Sequence, residues 1–115
     1  MSELAWAAGF FDGEGSTNLA NPEKSRPCDL QVQLGQKDRR PLDRFAAVLG
    51  GRVGGPYRDK QGNEAYRLTY GGMTARAVIE ALFPYLSAPK REQAQAVFAS
   101  IIEPEPQARI NGRFA

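Results

Sequence analysis

The chain has 115 residues, 42% of them hydrophobic, and a formal net charge of +2, enough for one domain with a modest core. It contains no histidine and one cysteine, Cys28, which excludes a histidine base, a histidine metal site and an internal disulfide, and leaves a hard ion held by oxygen as the class of metal to expect. The longest apolar run, Leu4 to Phe11, is too short to cross a membrane, and no stretch reads as a secretory signal, so the expected place of action is intracellular.

In chain order, Ser2 is placed to cap a helix that begins near Leu4. Ala5, Ala8, Gly9 and Asp12 fall at i, i+3, i+4 and i+7 and share one face. That face has no large side chain, so a second helix can approach it closely. Trp6 and Phe10 form one flank, Leu4 and Phe11 another, and both are expected to anchor in the core. Two acids follow, Asp12 and Glu14, while Gly13 and Gly15 suit a sharp exit from the helix.

Ser16 to Ala20 reads as a strand, and Asn21 to Pro27 as a polar turn bounded by prolines. The next stretch alternates, with Leu30, Val32 and Leu34 facing one way and Asp29, Gln31, Gln33 and Gly35 the other. Pro41 to Leu49 has helical core spacing at Leu42, Phe45, Ala46 and Leu49, and Gly50-Gly51 ends it. A Gly-rich strand, Arg52 to Tyr57, is joined by an Asp59–Asn63 turn to Glu64–Gly71, where Tyr66, Leu68 and Tyr70 oppose Arg67 and Thr69. Thr74 is expected to cap a helix with Val78, Leu82 and Tyr85 as its inner stripe. A last helix is expected from Lys90 to about Ile102.

Residues 1–103 therefore predict one α+β domain, with four antiparallel strands, helices on one sheet face and a polar, basic face opposite. Residues 104–115 have two prolines and no periodicity, and a mobile tail is expected there. The basic residues are unevenly spread. Between Gly35 and Lys60 stand Lys37, Arg39, Arg40, Arg44, Arg52, Arg58 and Lys60 against Asp38, Asp43 and Asp59, which predicts a phosphate-binding stripe.

Ala8-Gly9-Phe10-Phe11-Asp12-Gly13-Glu14-Gly15 resembles the motif of the LAGLIDADG homing endonucleases, with Ala7 where that motif opens with Leu. The order of elements extends the resemblance over roughly Leu4 to Glu103. It implies the LAGLIDADG homing endonuclease-like fold, αββαββα(α), with a saddle-shaped sheet that docks in a DNA major groove. It also implies a site-specific, divalent-metal-dependent DNA endonuclease that makes a double-strand cut at a long near-palindromic target, in the setting of intron or intein mobility.

By that resemblance, Glu14 and the main-chain carbonyl of Gly13 match the ligands of Mg2+, with Mn2+ or Ca2+ as substitutes. Gln36 matches a residue that orients water, and Lys90 and Arg40 match basic contacts near it. The outward strand residues Ser16, Asn18, Asp29, Gln31, Gln33, Arg52, Arg58, Arg67 and Thr69 would face double-stranded DNA. Among them Arg58 and Arg67 suit guanine, and Gln31 and Gln33 suit adenine; Lys37 and Lys60 suit phosphates. One chain offers one Glu14, and cutting two strands needs two, so a homodimer is implied. Ala5, Ala8, Gly9 and Asp12 would form its two-fold interface, with Asp12 hydrogen-bonding across the helix pair. The alternative on the same fold is a non-cleaving DNA- or RNA-binding module, a regulator or maturase. Such modules normally lose the acid, and Glu14 is retained.

Overall fold

The computed structural model describes residues 2–102; the expected tail, 104–115, lies outside the described residues. Ser2 caps α1 (Glu3–Glu14), its hydroxyl accepting a hydrogen bond from the Ala5 amide at 3.0 Å. β1 (Gly15–Leu19) follows without a loop, and a 3-10 turn, Pro27–Asp29, leads into β2 (Leu30–Gln36). α2 (Arg39–Leu49) starts earlier than Pro41 because Asp38 caps it, accepting from the Arg40 amide at 2.9 Å. Pro41 then falls in the first turn, where a missing N–H does no harm. β3 (Gly54–Arg58) and β4 (Glu64–Gly71) form a hairpin. Asp59 ties its turn by accepting from the Gln61 and Asn63 amides, each at 2.9 Å. α3 (Gly72–Leu82), a 3-10 turn at Phe83–Tyr85 and α4 (Ala88–Ser100) complete the described chain.

The strands make one antiparallel sheet in the order β1-β2-β4-β3. Leu30, Val32, Leu34, Leu68 and Tyr70 point to one face and pack with Phe11, Leu42, Phe45, Ile79 and Leu82 of the helices. This is the expected α+β architecture of helices on one sheet face. α4 lies against β1, where the Thr17 amide donates to Gln93 Oε1 at 3.1 Å, so that sheet edge is covered. The other sheet face carries the rows Ser16–Gln33–Thr69 and Asn18–Gln31–Gly71. No helix among the described residues is long and apolar enough to cross a membrane.

Several local expectations change. α3 starts at Gly72, whose φ of +59° suits glycine, and Thr74 falls inside its first turn and caps nothing. Pro84 ends the helix in a 3-10 turn, which leaves Tyr85 half exposed instead of on the inner stripe. α4 stops at Ser100, so Ile102 is exposed beyond it.

The rotation of α1 matters most. Its core side is Ala7, Ala8 and Phe11, with Leu4 packed beside them. Ala8 is fully buried within the chain and so is not on an open face. Ala5 is partly buried, and Gly9 and Gly13 are exposed, which makes Ala5, Gly9 and Gly13 (i, i+4, i+8) the small-residue stripe that faces outward. Gly15 has a different task. A Cβ there would lie 2.1 Å from the Phe11 ring, so β1 departs directly across that ring and only glycine fits.

Candidate nucleic-acid interface and acidic site

Glu14 closes α1 and is exposed at the rim of the polar sheet face. Two adjoining shallow hollows meet at it. Gly35, Gln36, Lys37, Tyr66 and Arg67 bound one; Ser16, Gln33 and Arg67 bound the other. Because β1 begins at the next residue and packs on Phe11, the helix end is fixed relative to the strands. The C-terminal end of a helix carries negative partial charge. Two acids placed there raise the negative potential, so the site favours a cation.

Asp12 is satisfied inside the chain. Its Oδ1 accepts from the Ser87 amide and the Ser87 hydroxyl, each at 3.0 Å. Within the chain it holds the start of α4. That contact brings Lys90 to the acidic end, where Nζ donates to the Gly15 carbonyl at 2.5 Å, one residue from Glu14. Gln36 lines the same hollow as Glu14. Arg40 does not. It pairs with Asp38 at 2.5 Å and borders a separate hollow with Trp6, Pro41 and Arg44, because Asp38 is both cap and counter-ion. That pairing holds the Asp38 carboxyl down to about 2.

Most of the expected basic stripe is neutralised locally. Arg39 pairs with Asp43 at 3.1 Å, Arg44 with Glu3 at 2.9 Å, and Arg58 with Glu64 at 2.5 Å. Arg58 is the register partner of Glu64, so it has the parity of the helix side and not of the face that carries Arg67. Asp29 is also displaced from the outward set. It sits buried in the 3-10 turn before β2, and the Arg26 guanidinium at 3.1 Å holds its carboxyl below the usual range. Arg52 is exposed in the loop ahead of β3, not on the strand. Ser16, Asn18, Gln31, Gln33, Arg67 and Thr69 do share the outward face. Lys37 borders the Glu14 hollow, and Lys60 stands in the exposed hairpin turn.

Sequence reading missed Tyr57. The register slips between Gly54 and Tyr57, where three residues of β3 span two of β4. A bulge of this kind returns Tyr57 to the outward face, where its ring lies 4.7 Å from the Arg67 guanidinium. The signal available was the Gly54-Gly55-Pro56 break in alternation.

Among the described residues, no group of three or more His, Cys, Asp or Glu side chains could hold a metal. The donors at hand are the Glu14 carboxylate and the Gly13 carbonyl, in the turn where carbonyls lack helical donors ahead of them. Mg2+ keeps several waters and uses one or two carboxylates plus phosphate oxygens. The pair therefore fits part of a site completed by a nucleic-acid phosphate, not a closed protein cage.

No family model and no curated protein matches the chain. Solved structures do. The homing endonuclease I-CvuI, in complex with its target in the presence of calcium, superposes with a TM-score of 0.60 at 25% identity, over 84% of this chain and 64% of that one. The LAGLIDADG meganuclease I-CpaMI, bound to uncleaved DNA, gives 0.57 at 18% identity over 86% and 35%. The archaeal intron-encoded homing endonuclease I-Vdi141I, complexed with DNA, gives 0.55 at 12% identity over 96% and 91%. The chain thus spans just under two thirds of I-CvuI and about a third of I-CpaMI. Element order and the antiparallel sheet agree with this likeness, and the chain has the LAGLIDADG homing endonuclease fold.

Proposed function

We propose that the protein is a site-specific, divalent-metal-dependent DNA endonuclease of the homing type, acting inside a cell as a homodimer on a near-palindromic duplex. The observation that carries this reading is the position of Glu14. A rigid helix end delivers its carboxylate to the rim of an amide-rich sheet face, beside Gln36, Lys37 and Arg67. Amides that both donate and accept suit base edges, and cations suit phosphates. When bound, a metal held by Glu14 and the Gly13 carbonyl would supply Lewis acidity and lower the pKa of a bound water. The chain's own groups hold and orient. Gln36 borders the hollow, and Lys90 places positive charge one residue from Glu14.

Two copies are needed for two strands. Gly9 and Gly13 are exposed, and a Cβ at either would meet nothing within 4 Å. The chain's own packing gives no reason for glycine there, whereas close approach of a second α1 does. The test is Glu14→Gln on a duplex selected from a randomised library. The variant should still bind the duplex and should fail to cut in magnesium. Cutting by the variant at the wild-type rate would remove Glu14 from the chemistry. Binding without cutting by the wild type would make the protein a non-cleaving DNA-binding module.

A further inference from the structure

Arg67 differs from the arginines around it. Arg26, Arg39, Arg40, Arg44 and Arg58 each pair with a carboxylate, while Arg67 has no ion pair among the described residues. Its guanidinium instead lies against the Tyr57 ring at 4.7 Å, a contact that orients the cation without neutralising it. Tyr57 is itself held in place. Its hydroxyl fills the space over Gly54, where a Cβ would sit 2.6 Å from it, and Gly54 is the cross-strand partner of Arg67.

The other neighbour of Arg67 in the same row is Gly35, on β2. Gly15 pairs with Leu34, so Glu14 falls beside Gly35 when the register is continued by one residue. The paired row across the outward face is Gly35, Arg67, Gly54, and Glu14, the last residue of α1, stands at its Gly35 end. Two strand spacings, about 10 Å, separate the backbones of Glu14 and Arg67. Gly35 leaves the lane between them open. The fold does not demand that gap, because a Cβ at Gly35 would meet only the Tyr66 carbonyl at 3.7 Å, an ordinary contact. Both hollows that Glu14 borders are also bordered by Arg67.

We propose that Arg67, oriented by Tyr57, binds the same DNA phosphate that Glu14 faces across Gly35, and so is a phosphate ligand of the cutting site and not a reader of guanine. This rests on the DNA-binding reading of that face. An uncompensated, stacked guanidinium offers parallel N–H donors to phosphate oxygens, and the open lane admits the phosphate between cation and carboxylate. Tyr57 acts only through Arg67 and is a positioning residue.

The test reads binding in EDTA, where no metal contributes, on a selected duplex whose phosphates are replaced one at a time by methylphosphonate. Arg67→Ala should weaken binding to the unmodified duplex about tenfold, and the salt slope should fall by about 0.9 for one lost phosphate contact. Glu14→Gln should strengthen binding severalfold, because a carboxylate without metal repels the phosphate. Both effects should vanish on the duplex neutralised at one and the same position. Tyr57→Phe should keep the Arg67 coupling and Tyr57→Ala should reduce it. Gly35→Leu should abolish it with an unchanged melting temperature. Coupling of Arg67 and Glu14 to different phosphates would overturn the proposal, as would an Arg67→Ala loss that follows base identity and ignores the methylphosphonate. A wild type that shows the shared coupling but never cuts in magnesium would reject the nuclease reading and leave the Arg67 assignment standing. Absence of duplex binding would overturn both.

Discussion

The Asp12 carboxylate accepts from both the backbone amide and the hydroxyl of Ser87, each at 3.0 Å, which joins the last turn of α1 to the first turn of α4. Ser87 precedes α4 as its cap residue, so Asp12 supplies from another helix the acceptor for the cap residue's own N–H that the third helical residue gives in a capping box. Asp12→Ala should lower stability by about 1 kcal/mol, and Asp12→Asn, which keeps an acceptor oxygen, should lose less. Urea denaturation reads both. The loss should not depend on protein concentration. A concentration-dependent loss would return Asp12 to a contact between copies.

How much of this was legible follows from what each signal measures. β4 was legible to its ends, because Tyr66, Leu68 and Tyr70 alternate with Arg67 and Thr69 and the Asp59–Asn63 turn is written in its residues. α1 was legible as a helix but not in its rotation. It is apolar nearly all round, so periodicity cannot say whether Ala8 or Gly9 faces the core. The core side turned out to be alanines at Ala7 and Ala8. The basic stripe failed because a charge count does not see pairing. Arg44 finds Glu3 from the start of the chain, and Arg58 finds Glu64 across a hairpin. Tyr57 was hidden by the bulge, since alternation cannot be carried through Gly54-Gly55-Pro56. Glu14 and Gln36 were legible because each stands at the end of a regular element, where spacing fixes position.

Gly15→Ala should be more damaging than its size suggests. The added methyl would sit 2.1 Å from Cδ1 of the fully buried Phe11, and overpacking of this kind costs about 1–3 kcal/mol or more. It should also move Glu14, which adjoins Gly15. Adding Phe11→Leu makes room for the methyl, so the double variant should recover part of what Gly15→Ala loses. Melting curves of the single variants and the double variant decide this; strictly additive losses would show that the two residues do not meet.

The Tyr70 hydroxyl donates to the Gly50 carbonyl at 2.6 Å, tying β4 to the residue that ends α2, and burial pushes its pKa up to about 12. An unfolded tyrosine ionises near pH 10. The raised folded value means that the fold favours the neutral phenol. Its contribution is complete below pH of about 10 and is lost as pH rises through about 12. Tyr70→Phe should cost about 1 kcal/mol at neutral pH. It should also remove the phenolate absorbance step near pH 12 and shrink the alkaline loss of stability. An unchanged ultraviolet titration would contradict the assignment.

Gly9→Leu separates the single chain from the pair. Within the chain the substitution is harmless, because Gly9 is exposed and a Cβ there meets nothing within 4 Å. Replacing a mid-helix glycine by a strong helix former should stabilise α1 by about 0.5–1 kcal/mol. Against a second α1 the sign reverses. Gly9 lies between Ala5 and Gly13 on the outward stripe, and the hollow beside Trp6, Arg40 and Arg44 lies at the α1–α2 side of the molecule. A leucine there would hold the two backbones apart, a small-to-large change in a packed contact worth about 1–3 kcal/mol against association. A two-fold contact presents the altered residue twice, so the effect is felt from both sides. The expected result is a variant that melts no earlier than wild type at concentrations where both are monomeric, yet fails to place two chains on one duplex. Sedimentation with and without DNA measures the stoichiometry directly. A Gly9→Leu protein that still binds as a pair, or a wild type that cuts both strands with one chain per duplex, would place the partner surface elsewhere than on α1.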